Sequence, residues 1–347
     1  MGSLINLVKM DLNHSPDILE AKIRFKLESA HSKRQFLKPI FELDVPLSDT
    51  QLEDLNVFFD YYQQQCEGMS FDAKRTHRQV VTLINKLKRS SINQSSDPVL
   101  YIESQAAEQK QWTCFAARVF TMTDIDRPPQ NFIPHQFSQH WEKGCLKEFL
   151  EEKVFPKERQ LSDNIKLDKV FNARNLERLA SLNVIWTSNL ADHLQLADDI
   201  HSVKIFTNVS FLKLHQHSNV FPPGFIEETI RTISLLLPAN DKATARWFQK
   251  KDDDQASQSG LNCAILSSLD RRIEKFEYWH DRLVMLKDAF DLAEPKSVRQ
   301  WWSDRRRPVQ WYNFWFAIGL VIGITVFFGV IQSVEGALQV YKAYHPS

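Results

Sequence analysis

Glycine is scarce in this chain: nine in 347 residues. That excludes glycine-repeat architectures and leaves little material for phosphate-cradling loops. Four of the nine, Gly319, Gly323, Gly329 and Gly336, fall in the last 30 residues. Cysteine is sparse too. Cys66, Cys114, Cys145 and Cys263 stand far apart with no C-x-x-C pair, which argues against a zinc ribbon or finger and for reduced, buried thiols. There is no excess of charge of either sign, with 43 Lys plus Arg against 43 Asp plus Glu, so no long-range field attracts nucleic acid. The opening "MGSLINLVKMDLNHSPD" has too short an apolar run for a signal peptide, and Asn6 stands where a myristoylation signal favours Ser or Thr. No G-x-S-x-G, P-loop, H-E-x-x-H or G-x-G-x-x-G occurs. The sequence therefore points to no catalytic residue, no cofactor and no metal.

What is present suffices for a packed domain, since 43% of the residues are apolar. Periodicity predicts an α+β class, helix-rich with short strands. "AKIRFKLE" (21–28) and "IFELDV" (40–45) alternate like strands. Ser48 or Asp49 should cap a helix over "DTQLEDLNVFFDYYQQQ", and a second helix spans roughly 71–90. "VLYIES" and "WTCFAARVFTM" read as strands, and 135–153 as helical. "SLNVIWTS" reads as a strand, "NLADHLQLA" as a helix, "SVKIFTNVSFLKL" as a strand and "GFIEETIRTISLLL" as a helix. Residues 250–260 read as a polar loop. From 261 to 292 the residues Leu269, Ile273, Phe276, His280, Leu283, Leu286 and Phe290 advance by threes and fours, predicting one long amphipathic helix with a coiled-coil-like seam.

Near the end the chain changes character. Phe314 to Ile331 is an uncharged, nearly wholly apolar run of 18 residues. About 20 helical residues cross a hydrocarbon core of ~30 Å, and 311–334 supplies that length. Trp301, Trp302, Trp311, Tyr312 and Trp315 gather at one end as an interfacial belt, with Tyr341 and Tyr344 beyond the other. Lys296, Arg299 and the flank Arg305, Arg306, Arg307 precede the run, whereas Lys342 alone follows it. The positive-inside rule puts the large N-terminal part in the cytosol and the tail in a lumen or outside, with an endomembrane favoured. The sequons at Asn13, Asn93 and Asn208 are then expected to be unused. A single span in this position is expected to insert post-translationally, as in tail-anchored proteins.

The expected organisation is an α+β domain over 1–249, which a break near 125–165 would divide into two subdomains. After it come the polar loop, the helix 261–294, a basic and aromatic segment 295–310, the span 311–334 and a tail 335–347. Gly319 and Gly323 form G-x-x-x-G, and Gly329 falls on much the same side. Such a face lets two spans pack as a homodimer.

Residues 175–347 carry a further pattern: "VIWTSNLADHLQL", "FPPGFIEETIRTISLLLPANDKATARWF" and the end "GALQVYKAYHP". The chain resembles a family of uncharacterised, C-terminally membrane-anchored proteins of filamentous fungi. The resemblance implies an integral membrane protein and carries no activity.

Other residue groups suggest chemistry only weakly. His215 and His217 would share a strand face with chelating spacing, but no third ligand stands out. Asp252 to Asp254 read as a solvated acidic run, and Asp192-His193 as an ordinary helical pair rather than an acid/base couple. Lys74, Arg75, Arg78, Lys86, Lys88 and Arg89 make one helix basic, a face for solvent or for anionic lipid. The leading expectation is a tail-anchored protein whose cytosolic domain binds an unknown cytosolic protein. A membrane-tethered enzyme comes second. A divergent CorA-like ion channel comes third, because that family has two spans and a Gly-Met-Asn signature absent here.

Overall fold

The structure is a computed structural model that describes residues 18–69, 75–92, 107–126, 139–157, 159–161, 165–197, 201–255, 266–267, 270–293 and 308–345. It is helix-rich with one small sheet, the α+β class expected, and ends in one long apolar helix. The first half is helical: α1 (Ala30–Phe41), α2 (Asp49–Glu53), α3 (Asn56–Glu67), α4 (His77–Ile92), α5 (Ala107–Thr121) and α6 (Leu146–Phe149), which continues as a π-turn over Leu150–Val154. Ser48 caps α2 in a reciprocal box with Gln51, satisfying two orphan donors. The expected single helix over 49–65 is instead broken at Asp54 and Leu55 into α2 and α3.

α5 is the centre of this half. Every residue from Trp112 to Thr121 is buried. "WTCFAARVFTM" was expected as a strand, and the structure corrects it to helix. A short apolar run buried on all sides carries no period that separates the two forms. "IFELDV" is corrected as well. α1 runs through Ile40 and Phe41 and stops at Glu42, whose left-handed backbone (φ 52°) turns the Leu43 N–H back to the Lys38 carbonyl at 3.3 Å. "AKIRFKLE" is corrected too: Ile23 and Leu27 are buried but Phe25 between them is exposed, and the chain there turns and makes only an isolated bridge to Thr76. "VLYIES" lies outside the described residues.

The second half opens with α7 (Ala173–Ala180) and the strands β1 (Asn183–Thr187), β2 (Leu196–Ala197) and β3 (Ser202–Phe206). β3 is central, parallel to β1 and antiparallel to β2, with Val184 opposite Val203 and Trp186 opposite Ile205. "NLADHLQLA" forms a 3₁₀ turn (Leu190–Asp192) and then β2, not the expected helix. "SVKIFTNVSFLKL" is β3 only to Phe206. Asn208 then caps α8 (Val209–Leu214), its Oδ1 accepting the Phe211 N–H at 3.0 Å. α9 (Phe225–Leu236) forms as the sequence predicts, and α10 (Lys242–Gln255) extends into the expected polar loop, so that loop is corrected at least as far as 255.

The long helix over 261–292 is corrected most. Residues 270–279 are a 3₁₀ turn and irregular chain, and only α11 (His280–Leu292) is helical there. Tertiary bonds hold that stretch out of helix: Leu167 N–H donates to Arg271 O at 3.1 Å, and Lys166 bridges Arg272. Buried Glu228 of α9 then accepts the N–H groups of Glu277, Tyr278 and Trp279 at 2.8–2.9 Å, anchoring the three residues that lead into α11. The apolar spacing was a signal of burial, since Ile273, Phe276, Leu283, Leu286 and Phe290 all enter the core. Finally α12 (Pro308–Tyr344) runs 37 residues.

Candidate functional site

Two features stand apart from the packed core, the helix α12 and a groove beside α3. α12 is long and apolar enough to cross a membrane, and none of its apolar stretch is buried against the rest of the chain. Val321, Ile322, Phe327 and Phe328 are each more than half exposed. An exposed apolar surface of this extent marks an interaction site, here one with lipid or another helix. The only hydroxyl in its middle, Thr325, donates to Val321 O at 2.8 Å, so it needs no water. Trp311 and Trp315 sit one turn apart at its start, rings 6.3 Å between centroids, with Tyr312 edge-on to Trp311 at 5.1 Å. At Gly319, Gly323 and Gly329 a side chain would meet nothing within 4 Å, so this face of the helix is open. Arg305, Arg306 and Arg307, with Trp301 and Trp302, lie outside the described residues. The helix continues past the predicted span end at 334 to Tyr344.

The groove has a volume of about 400 Å³ and lies where parallel β1 and β3 end, the edge at which open α/β sheets bind ligands. One wall is the outer face of α3, whose inner face buries Phe58, Phe59, Tyr62 and Cys66. That outer wall presents Asp60, Gln64 and Glu67 at helical spacing. The other wall is Trp186, Thr187 and Ser188 at the end of β1, with Thr207 just after β3 and Lys26 also contributing. Trp186 is braced edge-on by Trp247 at 5.9 Å and packs on Phe248 at 5.2 Å. The exit of β1 is fixed by Asn189, whose Oδ1 accepts the Asp124 and Ala191 N–H groups at 3.0 and 3.2 Å.

The weaker sequence candidates resolve into structure. His215 follows the end of α8 rather than lying on a strand, and His217 is exposed. The His215 ring is fully buried among Phe41, Phe120, Phe211 and Phe221, with centroids 4.8–5.0 Å away, and burial pushes its pKa down to about 3. Among the described residues no group of three or more His, Cys, Asp or Glu is placed to hold a metal. Asp192 and His193 are held by different partners. Asp192 pairs with Lys204 at 3.0 Å, although burial still raises its pKa. His193 Nδ1 accepts the Phe206 N–H, so Nε2 carries the proton and donates to Thr232 Oγ1 at 2.7 Å. Burial and nearby Arg282 lower the His193 pKa to about 3, and Arg282 itself is tied to the Ala191 and His193 carbonyls at 2.7 Å. Asp252 to Asp254 fall in the last turns of α10.

The basic face of α4 is largely occupied. Arg75 pairs with Glu108, Arg78 with Glu20, and Lys88 with Glu42 and the Ile40 carbonyl. Lys86 and Arg89 remain exposed, and Lys74 lies outside the described residues. The groove escaped sequence reasoning because its walls come from residues more than a hundred positions apart. The one local signal was a polar stripe, Asp60, Gln64 and Glu67, on a helix otherwise rich in aromatics.

No protein-family model, curated protein or solved structure matches the chain.

Proposed function

We propose that this chain is a tail-anchored, single-pass membrane protein whose α+β domain lies in the cytosol and binds another protein. One observation carries the reading: from Gly319 to Tyr344 every residue of α12 is exposed, and none of its apolar window is buried among the described residues. Burying one such side chain gains ~1.5–3 kcal/mol, so a dozen or more of them make aqueous exposure untenable. The Trp311 and Trp315 pair supports an interfacial end there, and the basic flank Arg305–Arg307 supports a cytosolic N-terminal side. The resemblance of residues 175–347 to anchored fungal proteins belongs to the same reading. The open Gly319, Gly323 and Gly329 face suits a second copy of the helix.

The test is alkaline extraction of membranes holding the full chain or a chain ending at Arg307. The full chain is expected in the pellet, and the shortened chain as a folded protein in the supernatant. A shortened chain that stays in the pellet refutes a single anchor.

A further inference from the structure

The groove beside α3 is built for one sign of charge. Asp60 and Glu67 both face solvent on its α3 wall, and among the described residues neither has a cationic partner. Gln63 Nε2 donates to Glu67 Oε1 at 2.9 Å, which orients that carboxylate without neutralising it. Lys26 is the one cation among the lining residues. Thr207 also lines the groove, yet is only 5% exposed, and its hydroxyl has no hydrogen-bond partner among the described residues. Trp186 adds an aromatic border beside Thr187 and Ser188.

We propose that this groove binds a protonated alkylamine or a guanidinium, the end of a Lys or Arg side chain or of a free polyamine. Two carboxylates supply charge-assisted acceptors, and the Thr207 hydroxyl accepts a further N–H. An anion would meet the two carboxylates, and an apolar ligand would strand the polar walls. The site is independent of the membrane anchor, so the two stand or fall separately.

Isothermal titration of the full chain in non-ionic detergent tests it, with spermidine, a penta-arginine peptide and inorganic phosphate as probes. We expect one-site binding of at least one cationic probe and no heat from phosphate. Asp60→Asn with Glu67→Gln should weaken that binding at least tenfold. Thr207→Val should weaken it severalfold, and Lys26→Ala should tighten it. Because Asp60 and Glu67 are exposed, their double variant keeps the fold, checked by an unchanged circular dichroism spectrum. Binding of spermidine alone makes the ligand a small amine, and binding of the peptide alone makes it a partner's side chain. Silence from both cations, equal affinity in the double variant, or phosphate binding that Lys26→Ala abolishes would each overturn the proposal.

Discussion

Glu228 caps the backbone of Trp279 from another helix: its Oε1 accepts the Trp279 N–H at 2.8 Å, 51 residues along the chain. The same oxygen takes Tyr278 N–H, and Oε2 takes Glu277 N–H. One side chain thereby satisfies three successive N–H groups ahead of α11. Trp279 in turn donates from Nε1 to Thr229 Oγ1 at 2.8 Å, so α9 and the start of α11 are joined twice.

Glu228→Ala should therefore unfold more than a surface substitution. It strands three N–H groups in the segment leading into α11, which costs ~1–3 kcal/mol for each buried unsatisfied group before relaxation. A net loss of about 3 kcal/mol is expected in urea denaturation of the chain ending at Arg307. A loss under ~0.5 kcal/mol would show that water replaces the carboxylate.

Acid should destabilise the domain through His193 and His215. Both have folded pKa values of about 3, below the ordinary 6.5, because burial disfavours the charged ring. The unfolded chain thus binds more protons between pH 6.5 and 3. Stability is full above 6.5 and falls as pH drops through that window. From pH 7.5 to 5.5 each histidine should cost ~1.4 kcal/mol, about 3 kcal/mol together. His215→Leu should remove roughly half of this slope. An unchanged slope would mean that the ring is already protonated, or solvated, in the fold.

Protease added to sealed microsomes should digest the N-terminal domain and spare a tag placed after Ser347. Five basic residues before the span against one after it predict this orientation. A protected domain would reverse the topology, and use of the Asn13 or Asn93 sequon would report the same reversal. Asn208 cannot report it from the folded state, because it is only 2% exposed and caps α8.

Gly319→Ile with Gly323→Ile should weaken crosslinking between copies in membranes without abolishing it. Close helix contacts in lipid are worth only ~1–2 kcal/mol each. Equal crosslinking in the variant would remove the glycine face from any dimer.

The parts of the fold legible in sequence are those set by local chemistry. The Ser48 cap, β1 and α9 followed from caps and periodicity, and α12 from an uncharged run long enough to span. What was illegible depends on distant partners. Ile273 and Phe276 have helical spacing, yet Arg271, Arg272 and Glu228 fix that stretch through bonds to other segments. Trp112 to Thr121 are buried on every side, so their helix left no polar face to read. The groove needed both halves of the chain before Asp60 on one wall and Thr207 on the other lined the same space.

α12 outruns the membrane that it would cross. At ~1.5 Å per residue its 37 residues reach about 55 Å, against a hydrocarbon core of ~30 Å. The Trp311 end is pinned by rings that prefer an interface, but beyond Ile331 the helix stays mostly apolar, with Glu335 and Lys342 its only charges there. A thicker bilayer can draw in another turn past Gln332 and a thinner one release it, at a cost of fractions of a kcal/mol per ångström of mismatch. Hydrophobic thickness is therefore a poor address label for this chain. An address to one compartment would have to be read elsewhere, by a receptor for the end of α12 or by what the folded domain holds.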